Sequence, residues 1–197
     1  MSTFALPPEL KAALDQKIEG LSRNDAARRA SVISSTYRSG GTSAPIRTEV
    51  DALAYALARM PATYAATAAC LHALPYITPD CAPRTLLDVG AGPGTATWAA
   101  AEIFSSLETF DLLDANMALR ALAIDLATES HHLGALHYEH GDAAQLIAGA
   151  DSADLVIASY VINELGDAAR DALADAMWAK TKDTLIIVEP GTPAGYA

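Results

Sequence analysis

From Arg84 onward the chain alternates short apolar runs with helix-patterned segments, and this alternation limits the possible folds more than any other feature. The spacing predicts strands at Thr85–Val89, Phe110–Leu113, Leu136–Glu139, Asp154–Val161 and Leu185–Val188. Helices are predicted between them at Thr95–Phe104, Met117–Thr128, Ala144–Ile147 and Asp167–Lys180. Strands separated by crossover helices pair in parallel, because each helix returns the chain to the same end of the sheet. The run Leu155-Val156-Ile157-Ala158, apolar at every position, fits a strand buried on both faces. The expected class is α/β, a three-layer sandwich around a mostly parallel sheet.

The first strand runs directly into Gly90-Ala91-Gly92-Pro93-Gly94-Thr95, and a helix opens at the end of that loop. This is the setting in which a glycine loop holds a nucleotide-like ligand. Gly90 permits a tight turn, Gly92 lets a ligand lie against bare backbone, and Gly94 lets the helix start close to the strand. Dinucleotide enzymes use such loops too, but two details separate this one. The nicotinamide fingerprint wants Gly or Ala where Thr95 stands. Asp88 would repel a pyrophosphate, yet would attract the cationic amino group of a methionine moiety, directly or through water. The loop therefore points to S-adenosylmethionine in a Rossmann-like fold.

Two more carboxylates follow the next two strands. Asp114 ends the second strand, where an acidic side chain can accept from both ribose hydroxyls; the alternative is that it caps the next helix. Strand alternation puts its competitor Asp111 on the opposite face. Asp142, in Gly141-Asp142-Ala143 after the third strand, can accept from an adenine amino group while the Ala143 N–H donates to a ring nitrogen; otherwise it is a turn aspartate. Ala91, Ala115 and Ser159 complete the expected contact set. Carboxylates at the carboxyl ends of three successive strands lie where open parallel sheets bind ligands.

The loop Ser159-Tyr160-Val161-Ile162-Asn163-Glu164-Leu165 follows the fourth strand and is expected to face the methyl group. A sulfonium is already an activated electrophile, so positioning the nucleophile supplies most of the rate. Glu164 or Glu189 would serve as base if the acceptor must lose a proton, and Asn163 could orient an acceptor amine. Each has a structural alternative: a turn or cap for Asn163, an ion pair for Glu164. An Asn/Asp-Pro-Pro-aromatic loop is absent, which leaves the acceptor atom open.

Residues 1–80 read as an N-terminal helical subdomain, and 81–197 as the ligand-binding domain. Leu10, Leu14 and Ile18 recur at helical spacing after Pro8, and Gly20 marks a stop. A second helix is expected from Ser22 through Val32, Ile33 and Tyr37. A third begins at Thr48 with Asp51, Pro61 restarts it as a fourth running to Leu74, and Pro75–Pro83 forms a linker. The net charge of −11 is uneven: residues 1–50 hold seven Lys/Arg against five Asp/Glu, and the remainder six against nineteen. An acidic body disfavours phosphate contact through the ligand-binding domain alone. Arg23, Arg28, Arg29, Arg38 and Arg47 are either solvated helix faces or an RNA-contacting arm. Cys70 and Cys81 lack a CxxC partner and read as free thiols. His131, His132, His137 and His140 straddle a loop and a strand, with no ligand set for a metal. Trp98 and Trp178 are expected in the core. No apolar run reaches the roughly 18 residues of a membrane span, and the first residues lack a signal-peptide core, so the expectation is a soluble cytoplasmic protein.

Four stretches resemble the mitochondrial small-ribosomal-subunit methyltransferase-like family and its bacterial relatives: Ala54–Tyr64, Leu87–Thr95, Ala158–Leu165 and the ending Val188–Gly195. The resemblance spans essentially the whole chain. It implies a class I methyltransferase fold that uses S-adenosylmethionine, associated with ribosomal small-subunit assembly or translation, with rRNA as the partner. A non-catalytic assembly factor and a small-molecule methyltransferase are the alternative readings. Relatives continue with further strands and a cysteine-rich segment resembling a metal or iron–sulfur site, whereas this chain stops at Ala197. The expectation is a truncated product or fragment whose Leu185–Val188 strand is an exposed edge through which copies can pair.

Overall fold

In the computed structural model, the described residues are 4–19 and 45–191. Helix α1 covers Pro8–Ile18 and helix α2 Glu49–Ile77. Then follow β1 (Thr85–Val89), α3 (Thr95–Ile103), β2 (Thr109–Asp114), α4 (Met117–Ala127), β3 (Leu136–His140), α5 (Ala143–Leu146), β4 (Ala153–Ser159), a 3-10 turn (Ile162–Glu164), α6 (Asp167–Lys180) and β5 (Thr181–Val188). The helix expected from Ser22 lies outside the described residues.

The sheet order is β3-β2-β1-β4-β5, and every neighbouring pair is parallel. Alternation along the strands divides the core in two. Leu86, Phe110, Leu112, Leu155 and Ile157 face a layer built from α1, α2, α3 and α4. Leu87, Val89, Leu113, Val156 and Ala158 face α5, the 3-10 turn and α6. The sheet is thus a middle layer with helices on both sides, and the run Leu155–Ala158, apolar at every position, is the result. The first core also takes in Leu10 and Leu14 of α1 and Met60, Tyr64 and Leu71 of α2, so the N-terminal helices and the sheet bury one continuous surface.

Four expected boundaries move. Pro61 does not restart a helix and Pro75 does not begin a linker; both lie inside α2. An interior proline loses a hydrogen bond and crowds the carbonyl four residues back, at a cost of about 3 kcal/mol. Burial of Met60, Tyr64, Thr67, Ala68 and Leu71 offsets that cost and carries the helix through. Its start is as read: Thr48 accepts from the Asp51 N–H at 3.2 Å, and Asp51 accepts from the Thr48 N–H at 3.1 Å. β4 ends at Ser159 because Tyr160 turns into the left-handed region, φ 60°. β5 starts at Thr181, four residues early, because polar Thr181–Thr184 still pair with β4 across an irregular register.

Trp178 is a further correction. It is 71% exposed, whereas Trp98 is buried. In α6 the buried residues are Leu173 and Met177, four residues apart, with Ala176 packed beside them, and Trp178 lies about a third of a turn past Met177. β5 has β4 as its neighbour and forms the sheet edge among the described residues. No helix among the described residues is long and apolar enough to cross a membrane.

Candidate ligand cleft at the strand ends

The three loop glycines all have positive φ: 70° at Gly90, 54° at Gly92 and 77° at Gly94. Only glycine adopts such angles without strain. Gly94 caps α3 in the left-handed conformation. The N–H groups of Gly90 and Ala91 both donate to the Leu113 carbonyl, which ties the loop to β2. An added Cβ at Gly92 would meet nothing closer than Leu119 Cδ1 at 3.9 Å, so this backbone lies open. At Gly90 it would come within 2.2 Å of Val161 Cγ2, so there the close neighbour is the loop after β4.

The cleft beside this loop is walled by Asp88, Gly90, Ala91, Gly92, Asp114, Ala115, Asp142, Ala143, Ser159, Tyr160 and Glu164, with Tyr55 and Thr63 of α2 on the same wall. Of the residues expected from the sequence, the structure does not bring Gly94, Asn163 or Glu189 to that wall. Gly94 acts underneath it as the helix cap. Asn163 is exposed on the 3-10 turn. Glu189 stands behind the turn, where Oε1 accepts from the N–H groups of Val161 at 3.2 Å and Ile162 at 2.8 Å.

Asp88 is 1% exposed, and its Oδ2 accepts from the Thr97 N–H at 3.1 Å and the Thr97 hydroxyl at 2.7 Å. Burial pushes its pKa up to about 7, against the pull of both Thr97 hydrogen bonds. Asp114 Oδ2 accepts from the Gly92 N–H at 2.9 Å and Oδ1 from the Asn116 N–H at 2.6 Å. It therefore fastens the glycine loop to β2, and the helix cap is Asn116 instead. Burial raises its carboxyl above the ordinary range, with the same two hydrogen bonds opposing. Asp142 caps α5 by accepting from the Ala144 N–H at 2.8 Å while still lining the cleft. Asp111 faces away and pairs with His137 at 3.2 Å. Glu164 is pushed up to about 7 by burial, then by the negative charges of Asp114 and Glu189.

Several supporting residues had no part in the sequence reading. Tyr138 donates its hydroxyl to the Gly92 carbonyl at 2.7 Å and is buried beneath the loop. Thr67 of α2 lies 3.0 Å from Ser159, hydroxyl to hydroxyl. Thr97 and Asn116 had a signal: a hydroxyl on the apolar face of a helix, and an Asn directly before one. Tyr55, Thr63, Thr67 and Tyr138 act across long sequence separations and carried none.

The wall fits the expected cofactor on three counts. Open backbone at Gly92 allows close approach, carboxylates offer acceptors for an ammonium and hydroxyls, and no Lys, Arg or His stands among the described lining residues to hold a pyrophosphate. Among the described residues no group of three His, Cys, Asp or Glu is arranged to hold a metal ion.

Comparison with known proteins agrees with this geometry. An O-methyltransferase family protein from Burkholderia thailandensis superposes with a TM-score of 0.59 at 15% identity, over 70% of this chain and 41% of that one. Magnesium protoporphyrin IX methyltransferase from Synechocystis PCC 6803, solved with bound S-adenosylhomocysteine, gives 0.51 at 18% identity, over 64% and 56%. These likenesses establish a methyltransferase-type Rossmann fold. The human mitochondrial ribosome assembly protein METTL17 is 30% identical over 154 residues, 76% of this chain and 34% of that protein, so the chain spans about a third of its length. Residues 49–197, from the start of α2 through the glycine loop to the end, match the family described as mitochondrial small ribosomal subunit Rsm22, and the chain belongs to that family.

Proposed function

We propose that the chain binds S-adenosylmethionine in this cleft and acts as a methyltransferase in assembly of the small ribosomal subunit, with rRNA or the assembling particle as partner. The observation that carries the reading is the pairing of an open glycine backbone with a wall of carboxylates free of basic residues. Asp88 would face the amino group of the methionine moiety, Asp114 the ribose hydroxyls, and Asp142 with the Ala143 N–H the adenine edge. Gly90, Ala91, Gly92, Ala115 and Ser159 would supply the remaining contacts. When bound, the cofactor supplies a methyl group already activated by its sulfonium. Glu164 would take a proton from an acceptor that must lose one; its position on the wall and a pKa pushed up to about 7 support that role. The cytoplasm is the proposed site of action.

A second reading, a non-catalytic assembly factor that retains the cofactor cleft, is favoured by the assembly role in the human relative's name. Titration with S-adenosylhomocysteine tests the cleft: wild type binds, and Asp114→Ala weakens binding about tenfold or more, about 1.4 kcal/mol, since it removes a ligand acceptor and the bonds to the Gly92 and Asn116 amides. A folded chain that binds nothing would end the proposal. Radiolabel transfer to small-subunit particles then separates the two readings, because only the enzyme incorporates label.

A further inference from the structure

The turn after β4 is strained and tightly held. Tyr160 is the non-glycine residue with positive φ among the described residues, at 60°. Such a conformation persists only when its surroundings impose it. The end of β5 does so. The Tyr160 N–H donates to the Val188 carbonyl at 2.8 Å, and the next residue on that strand's exit, Glu189, gathers the amides of Val161 and Ile162 on a single oxygen. Glu189 Oε2 is buried with no hydrogen-bond partner among the described residues, so the carboxylate's bonds to the turn are those of Oε1. The held segment carries cleft residues: Tyr160 and Glu164 stand on the wall, and Val161 packs on the Gly90 backbone.

We propose that Glu189 is a positioning residue: by accepting the Val161 and Ile162 amides it locks the Tyr160–Glu164 turn against the glycine loop and so shapes the cleft without touching the ligand. This rests on the cofactor reading above for its binding consequence, but not for its structural one. It also replaces the expectation that Glu189 is a base.

The test uses the full chain with Glu189→Ala and Glu189→Gln, with S-adenosylhomocysteine as calorimetric probe and site-resolved amide exchange as a second readout. Glu189→Ala should speed exchange at Val161 and Ile162 by about tenfold or more while the β1 amides stay protected, and should weaken probe binding by a similar factor. Glu189→Gln keeps an acceptor oxygen, so it should restore slow exchange and recover most of the lost affinity. A base would show the opposite pattern, with both variants binding the probe normally. Unchanged exchange in Glu189→Ala overturns the proposal, as does a Glu189→Gln chain that behaves like the alanine variant. Should Glu189→Ala not fold, Glu189→Gln decides alone, since its two amides must remain protected. If wild type binds no probe, the cofactor reading fails, while the exchange data still judge the lock.

Discussion

Replacing Asp88 by Asn should stabilise the ligand-free chain at alkaline pH while damaging the cleft. Asp88 is fully enclosed, and its Oδ2 takes both hydrogen bonds from Thr97. An Asn carbonyl oxygen in the same place accepts both. The difference is charge. Burial raises Asp88 from an ordinary 3.8 to about 7, so between those values the folded chain keeps a proton that the unfolded chain has released. The unfolded state then binds fewer protons, and stability falls as pH rises through that window, levelling off above about 7. The interval corresponds to a ceiling of about 4 kcal/mol, reduced by any relaxation around the carboxylate. Glu164 titrates in both proteins and cancels in the comparison, whereas the negative charge of Asp114 opposes ionisation of Asp88, so losing that repulsion in Asp88→Asn adds to the gain. Urea unfolding of both chains at pH 5, 6, 7 and 8, followed by circular dichroism, measures the gap. Asp88→Asn should gain on wild type steadily and lead by about 1 to 4 kcal/mol at pH 8, yet bind S-adenosylmethionine more weakly because the anion is gone. A variant less stable than wild type at pH 8, or a gap that does not change with pH, would refute the reasoning.

Gly90→Ala and Gly92→Ala should separate stability from binding. The first forces a Cβ to within 2.2 Å of Val161 Cγ2 and should cost about 2 kcal/mol or more in a denaturant melt; the second has room, so it should cost about 1 kcal/mol from backbone strain and mainly block the ligand. Tyr138→Phe removes the hydroxyl bonded to the Gly92 carbonyl and should lower stability by about 1 kcal/mol, with a measurable loss of cofactor affinity. We also propose that β5, whose Ile187 is 43% exposed on the strand at the sheet edge, pairs between copies. Light scattering should then show mass rising with concentration, and Ile187→Lys should suppress the rise; a clean monomer at high concentration argues against it.

Local chemistry made the Rossmann-like layer legible in advance. The alternation of Leu86–Val89, the glycine loop and Asp114 at a strand end depend on neighbours a few residues away, and strand periodicity alone put Asp111 and Asp114 on opposite faces. What escaped reading was non-local. Nothing within a few residues of Pro61 or Pro75 reveals that burial against another helix will carry α2 through both prolines. Trp178 looks like a core residue until α6 is seen to bury only a narrow stripe of Leu173, Ala176 and Met177. Glu189 looks like a base until β5 is placed beside β4, which turns it toward the amides of Val161 and Ile162. Tyr138 and Thr67 acquire their roles only when segments dozens of residues apart are packed together. The sequence alone determined where the glycine loop and its carboxylates lie on the sheet, because backbone angles and strand periodicity are local; tertiary packing decided which side chains hold that loop, because those contacts exist only once the layers close.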